Sequence, residues 1–437
     1  IDPSVIQYHY QGEVLQVESD ILVPGHLLQA QSLALSGDQA HVALAGEGHL
    51  SGIPLSASWR QAVGKGATPE SRVEGDVELS QNTVETLNIG LPKGSVGGRG
   101  WGRYRIDLHP GQPPKLRLDS DLKGISLRIS PVSWQKTATS SGALSLKATL
   151  ASPVSVDQIS ITAPGLKASG RVTTRANGGL NQARFSSFSV GNWIRGAVTL
   201  TGRGAALPEV RVSGGVLDMR RAPFSGESGA SSNGGGAASG PIHLQLDRLQ
   251  VTDSIALTGF RGDFSTRGGF NGKFNGSLNG LTPLSGVVVP RPEGVATRIQ
   301  SDDAGGVFRA AGVLRHGRGG SFDMTLLPTA KPGEYDGQIK VQNTRVKDAP
   351  SMAALINAIS LVGLVDELAG QGIFFNEVEA KFKLSSTHLV VREGSAVGPS
   401  MGLSMEGIYD LRNSALDMRG VISPIYLINA IGRVIAR

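Results

Sequence analysis

Cysteine is absent from the 437 residues, which excludes a disulfide scaffold and thiolate metal sites and fits an oxidising compartment where stray thiols are a liability. Aromatic residues make up only 5% and hydrophobic residues 39% of the chain, thin material for thick globular cores. No run of 18 or more uncharged apolar residues occurs, so no transmembrane helix lies within the sequence. The histidines His9, His26, His41, His49, His109, His243, His316 and His388 are isolated. None forms a His-x-x-x-His pair or stands beside a second ligand, so no metal site is expected. No combination of Ser, His and Asp stands out from the serine-rich loops as a nucleophile with its base. Gly64-Lys65 and Gly272-Lys273 lack the Ser or Thr that a phosphate loop needs after its lysine. No pair of acids stands out for catalysis; Asp302-Asp303, before Ala-Gly-Gly, reads as a turn and cap. An enzyme is therefore not expected, nor any cofactor.

Charge is also modest. Lys and Arg number 42 against 36 Asp and Glu, a formal net charge of +6 spread along the chain, which is ordinary surface balance. Two basic spots remain: Arg99, Arg103 and Arg105 interleave with Trp101 and Tyr104, and Arg315 and Arg318 lie beside glycines. A single-strand binder needs a continuous basic groove with several stacking aromatics, so both are expected to be hairpin ends and no nucleic-acid partner is expected.

What the chain has is glycine, 60 of 437 residues, and a recurring alternation of period two. Residues 270–280 place Phe270, Gly272, Phe274, Gly276 and Leu278 on even positions and Asn, Lys and Ser on odd ones. Successive side chains on a strand point to opposite faces, so this pattern serves a sheet with one apolar and one wet face. Val378, Ala380, Phe382 and Leu384 oppose Glu377, Glu379, Lys381 and Lys383 in the same manner. Further sets are Leu166, Ala168, Gly170 and Val172; Ile194, Gly196, Val198 and Leu200; and Leu403, Met405, Gly407 and Tyr409. A one-residue slip would invert each face, so pairing is strongly specified. Glycines on the apolar side, such as Gly196, Gly272 and Gly276, are expected to leave room there.

Turn signals such as Pro24-Gly25, Pro110-Gly111 and Pro164-Gly165 recur about every 8 to 12 residues, the spacing of meandering β architecture. The expected organisation is a β-rich body over 1–224 without a useful helix, a flexible Gly/Ser-rich insertion at 225–240, and strands again from 241 to 437. Within the last part, 350–370 is rich in helix formers whose Leu, Ile, Val and Met fill nearly the whole circumference, which predicts a buried helix. Ser423-Pro424 opens a second, C-terminal helix. The expected fold is mainly β: a long curled antiparallel sheet of roughly 30 strands forming an open apolar groove. So few bulky residues leave such a face unfilled. Acyl chains would fill it at about 0.8 kcal/mol per buried methylene.

Between residues 299 and 437 a series of motifs follows in order: Ser301-Asp302-Asp303-Ala304-Gly305; Asp348-Ala349-Pro350; Gly370-Gln371-Gly372-Ile373-Phe374-Phe375; Gly398-Pro399-Ser400-Met401-Gly402-Leu403; Gly407-Ile408-Tyr409-Asp410-Leu411; and Gly420-Val421-Ile422-Ser423-Pro424. The series resembles the C-terminal region of the AsmA-like superfamily, the branch of bacterial envelope proteins that includes YhdP and TamB. The resemblance implies a β-taco-like conduit in the periplasm of a Gram-negative bacterium, moving phospholipid between inner and outer membranes. It also implies an inner-membrane anchor. The chain begins Ile1-Asp2-Pro3-Ser4 and stops inside the terminal helix, so it is expected to be a fragment lacking that anchor. The expected groove lining is Leu166, Val172, Ile194, Val198, Leu200, Phe270, Phe274, Leu278, Val378, Phe382, Leu384, Leu403 and Met405. The alternative is an envelope scaffold or assembly factor for outer-membrane proteins, with envelope proteins as partners.

Overall fold

The computed structural model describes residues 7–23, 25–176, 178–223, 240–347, 362–413 and 415–424. The chain is mainly β and divides into two compact units, Ile1–Val210 and Arg211–Arg437. The first holds β1 (His9–Val23), β2 (His26–Asp38), β3 (His41–Leu50), β4 (Ile53–Ala62), β5 (Ser71–Ser80), β6 (Val96–Leu108), β7 (Lys115–Ser120), β8 (Ile125–Ile129), β9 (Trp134–Lys136), β10 (Ala143–Thr149), β11 (Ser155–Ala163), β12 (Leu166–Thr174), β13 (Leu180–Val190) and β14 (Ile194–Arg203). β15 (Ala206–Asp218) runs through the division. The second continues with β16 (Pro241–Gln250), β17 (Ala256–Ser265), β18 (Asn271–Leu278), β19 (Thr282–Arg291), β20 (Gly294–Ser301), β21 (Gly317–Arg318), β22 (Ser321–Pro328), β23 (Tyr335–Val346), β24 (Ile373–Leu384), β25 (His388–Val397), β26 (Met401–Asp410) and β27 (Ala415–Pro424).

Each unit carries an open antiparallel sheet in which sequence neighbours pair. In the first unit β1 to β7 pair in order. β7 then pairs with β10, and β10 to β14 follow in order. The intervening β8 and β9 fold back as a flap on the first residues of β6. In the second unit β16 to β20 pair in order, β20 pairs with β22, and β22 to β27 complete the series. Tight turns make the hairpins: Ser51 (φ 48°) and Gly52 (φ 84°) both take left-handed backbone between β3 and β4, the two-residue loop whose twist matches its strands. The exception follows β15. Met219 N donates to Gln250 O at 2.8 Å, so β15 and β16 end side by side and the segment between them must cross back. That segment contains the Gly/Ser-rich insertion, of which 224–239 lies outside the described residues.

Among the described residues three short α-helices interrupt the strands. The first, α1 (Gln81–Thr86), has only 6 residues and is started by Ser80, whose Oγ accepts from Thr83 N. α2 (Ala304–Ala310) begins where Asp303 Oδ1 accepts from Gly306 N at 2.8 Å, so Asp302-Asp303 is a turn and cap. α3 (Val362–Ala369) is the end of the helix expected over 350–370, of which 350–361 lies outside the described residues. Leu368 is buried against Val346, Ile373, Phe375, Ala396 and Met401, whereas Asp366 and Ala369 are exposed. This last stretch is thus one-sided rather than buried all round. Ser423 and Pro424, expected to open a C-terminal helix, instead end β27 paired with Gly402 and Met401, and 425–437 lies outside the described residues.

The fully buried side chains gather at one rim of each sheet. In the first unit this is where β4, β12 and β14 begin: Ile53, Leu166, Val190 and Ile194 lie there, with Leu122, Ile125 and Trp134 of the flap region. Trp134 Nε1 donates to Pro164 O at 2.9 Å. In the second it is where β20 and β23 end and β24 and β26 begin, and α2 and α3 pack there with Val307 and Leu368. One sequence expectation fails outright. Arg99, Trp101, Arg103 and Arg105 are not at a hairpin end but run through β6, beside the acids of β5: Arg105 holds Glu74 at 2.8 Å and Arg103 holds Asp76 at 3.5 Å. Tyr104 points to the other face and donates its hydroxyl to Ser56 O at 3.0 Å.

Candidate functional site

Residues directly opposite each other on antiparallel strands share a face, so the pairing can be followed from strand to strand. In the first unit one such line runs Gly12, Leu35, Leu44, Trp59, Val73, Ile106, Leu116, Ala148, Val156, Val172, Ala183, Leu200. Twelve consecutive strands place no polar side chain on it. A parallel line runs Gly75, Tyr104, Leu118, Leu146, Ile159, Gly170, Phe185, Val198. Nearer the rim, Ala163, Leu166, Val190 and Ile194 are successive partners.

The second unit repeats the arrangement: Leu244, Gly262, Phe274, Gly286, Ile299, Met324, Ile339, Ala380, Gly394, Met405, Gly420. Phe382 is in a neighbouring line, between Gly337 and Val391. Val378 and Leu403 flank Ala396 in another. Leu278 faces Thr282 and Leu257, Leu384 faces Tyr335 and Leu389, and Phe270 precedes β18 and stacks on Phe264. The pairing places the expected lining residues other than Phe270 on such lines within their own units, and Leu166, Ile194, Val198, Leu278 and Phe382 among them are buried by the chain itself. Missed were Leu35, Leu44, Trp59 and Ile106 in the first unit and Ile299, Met324 and Ile339 in the second. Period-two signals were present for some of them, as at Leu55, Ala57 and Trp59.

No family model, curated protein or solved structure matches the chain.

The opposite face of the second unit carries a polar line from β16 to β26: Gln245, Arg261, Asn275, Ser285, Gln300, Asp323, Lys340, Glu379, Ser395 and Ser404 are successive partners, and the line ends on the exposed Val421 of β27. Ion pairs cross-link it. Arg298 holds Asp323, which keeps that carboxyl below its ordinary value. Lys340 bridges Glu377 and Glu379 and is held above the ordinary lysine value by both. A hollow of about 620 Å³ lies on this polar face, bordered by Lys381, Glu393, Glu406 and Arg419. Its charges are already matched, Lys381 to Glu393 at 2.8 Å and Arg419 to Glu406 at 2.6 Å.

The large members of the first-unit line, from Leu35 to Leu200, all stay partly exposed, as do Phe274, Ile299, Met324, Ile339 and Met405. They contrast with the sealed rim. Glycine plays a different part from the expected one. A Cβ at Gly286 would lie 2.2 Å from the Phe274 ring, one at Gly337 2.1 Å from the Phe382 ring, and one at Gly272 2.6 Å from Phe264 Cδ1. Rings of the chain itself lie across these glycines, so Gly272 offers no free space; at Gly276 a Cβ would be in ordinary contact with Leu257 Cβ and Thr258 O at 3.4 Å and Phe260 Cα at 3.5 Å, so no open room is left there either. Among the described residues no three His, Asp or Glu are grouped to hold a metal, and no helix is long and apolar enough to cross a membrane.

Proposed function

We propose that the protein is a non-enzymatic conduit for phospholipid, its acyl chains travelling along the apolar sheet face as along an open groove. The observation that carries this reading is the unbroken line of apolar or glycine positions across twelve strands of the first unit, whose large side chains remain partly exposed. Such a face needs a guest. Each methylene withdrawn from water contributes about 0.8 kcal/mol, so a continuous track lowers the barrier to moving a lipid that would otherwise leave its bilayer slowly. The one-sided sealing also supports it: helices and buried side chains close one rim, and the other has only turns through which a headgroup stays solvated. The motif resemblance supports a place between the inner and outer membranes of a Gram-negative bacterium, with an inner-membrane anchor. Curling of the sheet into a trough belongs to this proposal.

Solvent extraction of the purified protein followed by mass spectrometry tests it. Phospholipid should co-purify, and Leu200→Asp, Phe274→Asp or Phe382→Asp should abolish its recovery while Lys381→Ala leaves it intact. Equal tolerance on both faces would refute the reading.

A second reading, a scaffold for outer-membrane proteins, is favoured by the edge strand β1. Its only described partner is β2, and Ile21 is 85% exposed and Leu15 and Leu22 are exposed beside it. An open, greasy edge is a template for a client strand. A pure scaffold would carry no lipid.

A further inference from the structure

Four of the twelve phenylalanines in the chain belong to one hairpin of the second unit. Phe260 of β17 stacks on Phe274 of β18 at 5.7 Å between ring centroids, and Phe264 stacks on Phe270 at 5.0 Å and 19°. Phe260 and Phe264 are buried, whereas Phe270 is 39% exposed and gives the patch an accessible surface. Elsewhere on this face the line through Phe274 is aliphatic or glycine.

Two arginines stand at the strand ends beside this patch. Arg267 occupies the turn between β17 and β18, fixed by Asn271 Nδ2 donating to Arg267 O at 3.0 Å and to Gly269 O at 2.8 Å. Arg291 ends the adjacent β19, in step with Ser285, Val287 and Val289 of the wet face, so it reaches the patch only around the strand end. The two ends touch, since a Cβ built on Gly269 would lie 2.6 Å from Pro290 Cβ. Both arginines are exposed. Among the described residues neither has a carboxylate within ion-pair distance, although Glu293 is two positions beyond Arg291. Most cations of this unit's wet face behave differently: Arg298, Lys340 and Lys381 each hold an acid.

We infer that this hairpin is a holding station for an anionic phospholipid, with an acyl chain on Phe270 and Phe264 and the headgroup phosphate at the strand-end rim, where Arg267 of the turn and Arg291 of the wet face reach it. Complementarity at both ends points to this occupant. The ring patch offers dispersion and hydrophobic contact without polar competition, and two unpaired guanidiniums offer forked donors to phosphate oxygens. The inference rests on the conduit reading and adds to it a location and a headgroup preference.

The test loads the full chain from vesicles of phosphatidylglycerol or of phosphatidylcholine and quantifies extracted lipid by mass spectrometry. The wild type should favour phosphatidylglycerol. Arg267→Ala with Arg291→Ala should cut the preference by about fivefold per arginine, lowering phosphatidylglycerol loading more than that of phosphatidylcholine, whose choline offsets its phosphate charge, and added salt should do the same to the wild type. Phe270→Ser should lower the loading of both lipids at constant ratio. A wild type without preference, or a double variant that keeps it, overturns the station and leaves the conduit standing. No recovery of either lipid from the wild type overturns both.

Discussion

Placing a methyl group on Gly337 tests how the apolar face is built. This glycine of β23 lies opposite Phe382 of β24, and its added Cβ would meet that ring at 2.1, 2.3 and 2.7 Å. Gly337 is not among the glycines with positive φ, so the backbone itself accepts alanine. The ring must therefore move. It is 6% exposed, and lifting it sacrifices part of the roughly 1.5 to 3 kcal/mol that full burial contributes. An off-rotamer side chain adds about 0.5 to 1.5 kcal/mol. Reduced freedom of the unfolded chain returns about 0.4 to 1 kcal/mol. Gly337→Ala should thus destabilise by about 1 to 3 kcal/mol. The fitting assay is native-state hydrogen exchange of the β23 and β24 amides, which reports local opening. In a Phe382→Ala background the ring is gone, and Gly337→Ala should become neutral or mildly stabilising, a coupling of about 2 kcal/mol. A cost below about 0.5 kcal/mol, or the same cost in both backgrounds, would refute the ring-on-glycine account.

Two buried polar groups give opposite alkaline responses. Burial, aided by the Asp76 charge, pushes the Tyr104 hydroxyl up to about 12 from an ordinary 10.0. Its stabilisation is therefore complete below pH 10 and lost as the pH climbs toward 12, on the order of 1 to 2 kcal/mol; Tyr104→Phe should flatten that part of the stability profile, and an ultraviolet titration in which all six tyrosines ionise near pH 10 would contradict it. Lys136 is 2% exposed and donates to the carbonyls of Leu122, Ile125 and Thr137 at 2.7, 2.8 and 3.0 Å. Burial lowers its pKa, so stability rises as the pH climbs through the lowered folded value toward 10.5. Lys136→Met should remove that rise and cost about 2 to 4 kcal/mol by stranding three carbonyls; unchanged thermal unfolding would count against the carbonyl cradle.

Strands with unbroken alternation were legible in the sequence: β14, β18, β24 and β26 each carry the apolar set on the face where the pairing puts it. Interrupted strands were not. In β17 the left-handed Gly259 shifts the register, so Leu257 pairs with Leu278 while Gly262 pairs with Phe274, and no single parity describes the face. In β23 the buried positions pass from odd Val341 to even Thr344 and Val346 across Asn343, whose φ is 57°. The β8–β9 flap was invisible because β7 skips it to reach β10, a choice made by packing at the rim rather than by local pattern. Arg99 to Arg105 misled because charge density stood in for loop propensity, while the neutralising acids lie on the neighbouring strand. The lining candidates were found wherever phenylalanine or leucine repeated every second residue, and lost where one strand contributed only a single large side chain to a line. The Phe270 hairpin was visible as alternation, but that the strand ends bearing Arg267 and Arg291 adjoin is set by the approach of Gly269 to Pro290, which local pattern does not reveal.

The up-and-down order of the strands has a kinetic consequence. Because nearly every strand finds its partner one short turn away, most contacts close small loops at little entropic cost. Assembly can begin at any hairpin and grow by adding the next ribbon segment, as in repeat proteins whose units touch only their neighbours. A chain emerging end first could consolidate as it arrives, without waiting for its far terminus. Among the described strands, β15 and β16 end side by side, so growth waits there for a return connection, and folding experiments on the intact chain should find their slowest step at that pairing.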